Sequence, residues 1–145
     1  MQTNHQFLRI HTQKNFEIID ITKALQTFVN NSGIQNGIMA VTSQHTTTAV
    51  SVNECEERLL VDIEQYFGKL APADQPYLHN DLHLRDVPED EPENAHSHLI
   101  AMMTGNSESI AVSDGKLVLG TYQSVMLLEL DGPRERKVSV QIMGA

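Results

Sequence analysis

The chain has 145 residues, 40% of them hydrophobic, which suits one domain whose core is large enough to fold unaided. Nineteen acidic against ten basic residues give a formal charge of -9, a balance that repels a nucleic-acid backbone or an anionic bilayer, so neither is expected as a partner. Cys55 is the sole cysteine and suits a reducing compartment, the opening Met1-Gln2-Thr3-Asn4-His5 lacks the regions of a signal peptide, and no apolar run reaches membrane-spanning length; the expectation is a cytoplasmic protein that acts on small molecules.

Residues 7–12 and 16–20 are short, partly alternating stretches around polar Gln13-Lys14-Asn15, which predicts a hairpin. Ile21, Leu25, Phe28 and Val29 then fall at helical spacing, with Asp20 or Thr22 available as a cap and Gly33 placed to end a helix that lies on the sheet. The β-branched runs 37–43 and 47–52 flank His45 and put it at a strand junction or bulge. Asn53 and Glu56 form the pattern of a capping box ahead of the stripe Leu59, Leu60, Ile63, Phe67 and Leu70, which predicts a second helix. Residues 71–94 carry four prolines and no apolar periodicity, so they read as a long loop of the functional or mobile kind. A short helix over 95–104, capped by Asn94 and ended by Gly105, leads into a strand at 109–112 and an Asp114-Gly115 hairpin turn. Strands at 117–119, 125–130 and 138–142 complete a mostly β C-terminal third, with Gly132-Pro133 turning between the last two. Neither a repeat nor a linker divides the chain, which reads as a single domain over 1–145.

Two islands hold the residues suited to chemistry: Gln44-His45-Thr46-Thr47-Thr48 and Glu93-Asn94-Ala95-His96-Ser97-His98. Histidine titrates near neutrality and is the commonest metal ligand. In the first island an imidazole can enter a cleft while hydroxyls and backbone amides hold an anion; the alternative is a threonine-rich edge strand whose histidine satisfies a backbone group. His96 and His98 share one face of a strand but nearly opposite faces of a helix, so both ligate one metal only if the segment is not helical. His98, next to the apolar run from Leu99 to Met103, is the better single candidate, and with His45 the three meet the minimum for an open zinc site. His79 and His83 lie in the proline-flanked loop, where His79 is either a further ligand or phosphate contact, or solvated. The acidic run from Asp86 to Glu93 either holds magnesium for a diphosphate or is simply hydrated. Cys55, between two carboxylates, reads as a packed small hydrophobe. Arg134 and Arg136 are the densest positive charge in the chain and suit bidentate phosphate capture, unless they pair with Glu129, Asp131 or Glu135.

Taken in order, His45-Thr46-Thr47-Thr48-Ala49, Asn94-Ala95-His96-Ser97-His98-Leu99, Gly115-Lys116-Leu117-Val118-Leu119-Gly120-Thr121-Tyr122-Gln123 and Glu129-Leu130-Asp131-Gly132-Pro133-Arg134-Glu135-Arg136 resemble the YjbQ-like family over nearly the whole chain. The resemblance implies an α+β fold of two packed, mostly antiparallel β-sheets with a few helices, assembled as a homotrimer with clefts at subunit boundaries. It also implies a secondary thiamine-phosphate synthase activity, in which a pyrimidine methyl diphosphate is joined to a thiazole phosphate. On that implication His45, His96 and His98 bind a divalent metal, zinc or magnesium, or phosphate. Thr46, Thr47, His79 and Arg134 contact the phosphorylated substrate, and His45, His98, Glu129 and Asp86 serve catalysis, the two carboxylates as metal ligands or proton acceptors. The cleft is then expected to be more positive than the acidic exterior, with Arg134 as the source. Tyr122 departs from the family, where many relatives have tryptophan, and bears on a pocket wall. The rival readings are a metal- or anion-binding trimer without turnover and a hydrolase in which bound zinc activates water.

Overall fold

The computed structural model describes residues 1–145. The chain runs β1 (Gln2–His11), β2 (Glu17–Asp20), α1 (Thr22–Ser32), β3 (Gly37–Ser43), β4 (Thr48–Asn53) and α2 (Glu57–Leu70). Two single-turn 3-10 segments follow (Leu78–Asn80 and Leu82–Leu84), then α3 (Ala95–Thr104), β5 (Ser107–Ser113), β6 (Lys116–Leu117), β7 (Ser124–Glu129) and β8 (Glu135–Gly144). A five-stranded sheet has the order β1-β8-β3-β5-β6 and a three-stranded sheet the order β2-β7-β4, with every pairing antiparallel. This is the expected α+β architecture of two sheets and three helices.

The opening strands do not form the expected hairpin. β1 pairs along its whole length with β8, from Gln2 opposite Gly144 to His11 opposite Glu135, whereas β2 pairs with β7 in the other sheet. Local alternation marks a strand but carries no information about its partner, and a ten-residue antiparallel match with β8 satisfies far more backbone groups than a four-residue hairpin.

One core cluster lies between the sheets and under α1. Leu25, Phe28 and Val29 of the helix meet Met39, Val41, Val50, Val125, Leu127, Val138, Val140 and Ile142. A second cluster sits on the far side of the small sheet, where Ala49, Met126, Leu128 and Leu130 meet Ile100 and Ala101 of α3. β7 is thus buried on both faces, which is why 125–128 is an unbroken apolar run rather than an alternating one. Gly33, at φ +74°, closes α1 in the left-handed region, and Asp114-Gly115 (φ +49° and +71°) turns β5 into β6. The start of α2 differs from expectation: Glu56 itself is the cap, its carboxylate accepting the Leu59 N–H at 2.6 Å, while Asn53 accepts only from the neighbouring Glu54 N–H. No helix is long and apolar enough to cross a membrane.

Leu127 is fully buried in the cluster between the sheets. Leu127→Ala should lower unfolding free energy by about 3 kcal/mol in chemical denaturation, because the double-sided packing of β7 prevents the cavity from collapsing.

Candidate functional site

Period-two alternation places the charged floor of the site. In β7 the residues facing the other sheet are Val125, Leu127 and Glu129; in β8 the inward series is Arg136, Val138, Val140 and Ile142. Glu129 and Arg136 therefore end up between the sheets, 0% and 3% exposed, with Arg136 Nη2 2.6 Å from Glu129 Oε2 and Nε 2.8 Å from Oε1. Thr12 Oγ1 donates to Glu129 Oε1 at 2.7 Å, the Asp131 N–H donates to Oε2 at 3.3 Å, and Arg136 Nη2 also donates to Thr47 Oγ1 at 2.9 Å. Burial pushes the Glu129 carboxyl upward, but the Arg136 and Thr12 hydrogen bonds and the guanidinium charge outweigh it and hold the group below its ordinary value. The pair leaves Arg136 Nη1 without a partner in the chain.

Above this pair lies a cavity of about 340 Å³ lined by eleven residues, none hydrophobic. They include Gln44 to Thr47, Asn94 and His98 at the start of α3, and Asp131, Arg134 and Arg136 around the turn into β8. The segment 44–47 is the connection between β3 and β4, and the N–H groups of His45, Thr46 and Thr47 donate to nothing within the chain. Consecutive unpaired amides beside a fixed guanidinium make an anion-binding concavity. Arg134 and Arg136 are matched by Glu91 and Asp131, so the lining carries no net formal charge in a chain whose total is -9. Arg134 is the more exposed arginine; its Nε and Nη2 are held by the Asp131 carbonyl and carboxylate at 2.8 and 2.9 Å. The alternative of ion pairing is realised for both arginines, and Arg136, not Arg134, is the immobilised one.

The imidazoles divide into two groups. His45 and His98 line this cavity together, although they are far apart in sequence, and both also line an adjoining cavity of about 420 Å³. His45 Nε2 accepts the Lys137 N–H at 2.9 Å, which leaves the neutral ring with its proton on Nδ1, as a donor. Burial first, then the Arg136 guanidinium, depresses its pKa, so it is uncharged at neutral pH. Burial and the neighbouring His79 depress His98 as well, against the opposing pull of Asp131 and the Thr46 backbone. His79 stands edge-on to His98 with ring centroids 4.7 Å apart, held there by the first 3-10 segment, where Arg85 Nη1 donates to the His79 carbonyl at 2.9 Å.

Other expected site residues fall elsewhere. His96 lies inside α3, about 200° around the helix from His98, and lines neither cavity. No three His, Cys, Asp or Glu side chains of the chain converge on a metal position, and the Nε2 lone pair of His45 is already used; the donor set does not fit a resident zinc or magnesium held by His45, His96 and His98. Glu129 is saturated by Arg136, Thr12 and the Asp131 amide and lines neither of the two cavities, so it positions Arg136 instead of accepting a proton from a ligand. Asp86 is exposed and away from both cavities; within the acidic run only Glu91 reaches the polar one. Cys55 packs against the second core cluster, and burial raises its thiol pKa, as a structural cysteine requires. Tyr122 lies on a separate surface cleft with Val52 and Asn53. Sequence reasoning undervalued Arg136 and the Lys137 amide; the signal for Arg136 was its place in the β8 alternation with Val138 and Val140.

The model of the family described as "UPF0047 protein YjbQ-like" matches residues 6–145. The chain belongs to the YjbQ-like family. A UPF0047 protein of Methanothermobacter thermautotrophicus is 40% identical over 144 residues, covering 99% of this chain and 94% of that one. The UPF0047 protein YugU of Bacillus subtilis is 30% identical, covering 94% and 97%. Among solved structures, a YbjQ-like protein of unknown function from Sulfolobus solfataricus superposes with a TM-score of 0.89 at 36% identity, covering 99% of each chain. A YjbQ/UPF0047 protein of Clostridium acetobutylicum does so with a TM-score of 0.85 at 32% identity, covering 95% and 99%. The two-sheet frame that creates the polar cavity is thus the frame of this YjbQ-like family.

The ring state of His45 is directly measurable. Long-range proton–nitrogen spectra near pH 7.5 should show His45 protonated on Nδ1 only, and its titration midpoint should lie below the ordinary 6.5. A proton on Nε2, or zinc-induced ligation of His45, would contradict the donor assignment.

Proposed function

We propose that this YjbQ-like protein is a transferase of phosphorylated small molecules with an activity like that of a secondary thiamine-phosphate synthase. The observation that carries the reading is that residues with unpaired donors line one cavity: the amides of residues 45–47, His45 Nδ1–H and Arg136 Nη1 have no partner in the chain. In such a reaction the carbon–oxygen bond of a pyrimidine methyl diphosphate breaks, its electron pair leaves with pyrophosphate, and the thiazole nitrogen lone pair forms the new carbon–nitrogen bond. Charge builds on the departing diphosphate, and N–H groups fixed in advance stabilise it without reorganisation. Thr46 and Thr47 add hydroxyls to the lining, Arg134 closes the rim, and His98, beside His79, gives a proton to the leaving group from its imidazolium form and is left as the neutral ring. The chemistry asked of the chain runs through its own donors.

Assembly as a homotrimer belongs to the same proposal. The outer face of the large sheet carries Phe7, Ile38 and Met143, each more than 40% exposed, among the polar side chains of His5, Lys137, Ser139 and Gln141. A ten-residue edge strand, β1, calls for cover, and the three exposed apolar side chains beside it can be buried at the same contact.

Three outcomes are expected. In calorimetric titration with pyrophosphate, Arg136→Lys should weaken binding by roughly tenfold or more because the planar fork is lost, and Arg134→Ala by only a few-fold. Synthase turnover should fall at least about a hundredfold in His98→Ala with pyrophosphate affinity retained; anion binding without turnover in the unaltered protein favours a binding module instead. Light scattering at micromolar concentration should report three times the 16.2 kDa chain mass, and a monomer would exclude the trimer.

A further inference from the structure

The polar cavity does not end at the histidines. His45, Thr46 and His98 also line the adjoining cavity of about 420 Å³, whose other walls have a different chemistry. Ala101 and Met102 of α3, with Gly105, Asn106 and Thr48, stand where the first compartment has its charged side chains. Gly105 holds φ +97°, a conformation that favours glycine, and a Cβ there would meet nothing within 4 Å, so this wall is open by construction. Met102 is 82% exposed and lies at the mouth with Asn106. A mobile thioether at such a position adapts to ligands of varied outline.

Resting on the anion-binding reading above, we infer that the site is bipartite: it takes a phosphate ester of a small, weakly polar organic group, with the phosphate in the compartment of Arg136 and the organic group between Ala101 and Met102. His45, Thr46 and His98, common to both compartments, then border the bond that joins the two parts. Inorganic phosphate or pyrophosphate fills half of such a site. An anion with no organic group leaves the Met102 side hydrated, and a neutral organic molecule leaves the amides of residues 45–47 unpaired. The arrangement therefore selects for molecules that carry both parts.

The test is calorimetric titration of the full chain with inorganic phosphate and with phenyl phosphate at pH 7.5, read as the ratio of the two dissociation constants. Phenyl phosphate should bind about tenfold tighter, since part of its ring leaves water. Met102→Ser should lower that ratio severalfold and Asn106→Ile should raise it, both at exposed positions where folding is not at stake. A ratio near one in the unaltered protein, or a ratio that neither substitution moves, overturns the bipartite site while leaving anion binding intact. If neither ligand binds, the anion-binding reading falls and this inference with it.

Discussion

The Glu129–Arg136 pair is the constraint around which the site is organised. Two opposite charges removed from water between two sheets are tolerated only when their geometry is good and their remaining donors and acceptors are satisfied. Here Thr12, Thr47 and the Asp131 amide complete the set, drawing together the end of β1, the β3–β4 connection and the turn after β7. These are the segments that must converge for a cavity to exist at all. The pair has a second effect: a guanidinium locked by its partner on one side presents the rest of its fork at a fixed place, and fixed donors are what stabilise developing negative charge most effectively. A freely rotating surface arginine such as Arg134 would be without the Asp131 clamp cannot do this.

The chemistry of the cavity follows from how its two histidines are held. One backbone N–H, from Lys137, determines that His45 offers a proton rather than a lone pair. The residue reads as a metal ligand in the sequence, yet its geometry belongs to an anion site, and the depressed pKa, caused by burial and by Arg136, keeps it a neutral donor. His98, which lines the same cavity, interacts with the Thr46 backbone and shares its surroundings with His79 and Asp131, a setting in which a neutral imidazole can accept a proton. The two imidazoles that line the cavity are thus supplied by different elements, the β3–β4 connection and α3.

Much of the fold was legible because it rests on local periodicity. The spacing of Ile21, Leu25, Phe28 and Val29, the break at Gly33, the helix over 95–104 and the turn at Asp114-Gly115 all recur in the structure. The run at 125–130 likewise marked a strand, which the structure bounds at Ser124 and Glu129. The partner of β1 was not legible, since alternation records which face of a strand is buried and not which strand lies beside it. The site was legible in part. His45 and His98 do share a cavity and His79 does stand beside them, but Asp86 and His96 do not join it, and Glu129 turns inward to hold an arginine.

The sequence by itself determined the family, the α+β class, the three helices with the stops at Gly33 and Gly105, and the two islands that carry His45 and His98, because each of these is written in residue types over short spans. The tertiary structure alone decided which groups meet and in what state. Helical periodicity separates His96 from His98 only once the segment is known to be a helix. The Lys137 amide reaches the His45 ring only after β8 lies beside β3, which sets a tautomer that no string of residues displays. The burial of Glu129 and Arg136 follows from the facing of two strands in different sheets, and that contact between distant segments turns two ordinary charges into the fixed floor of a polar cavity.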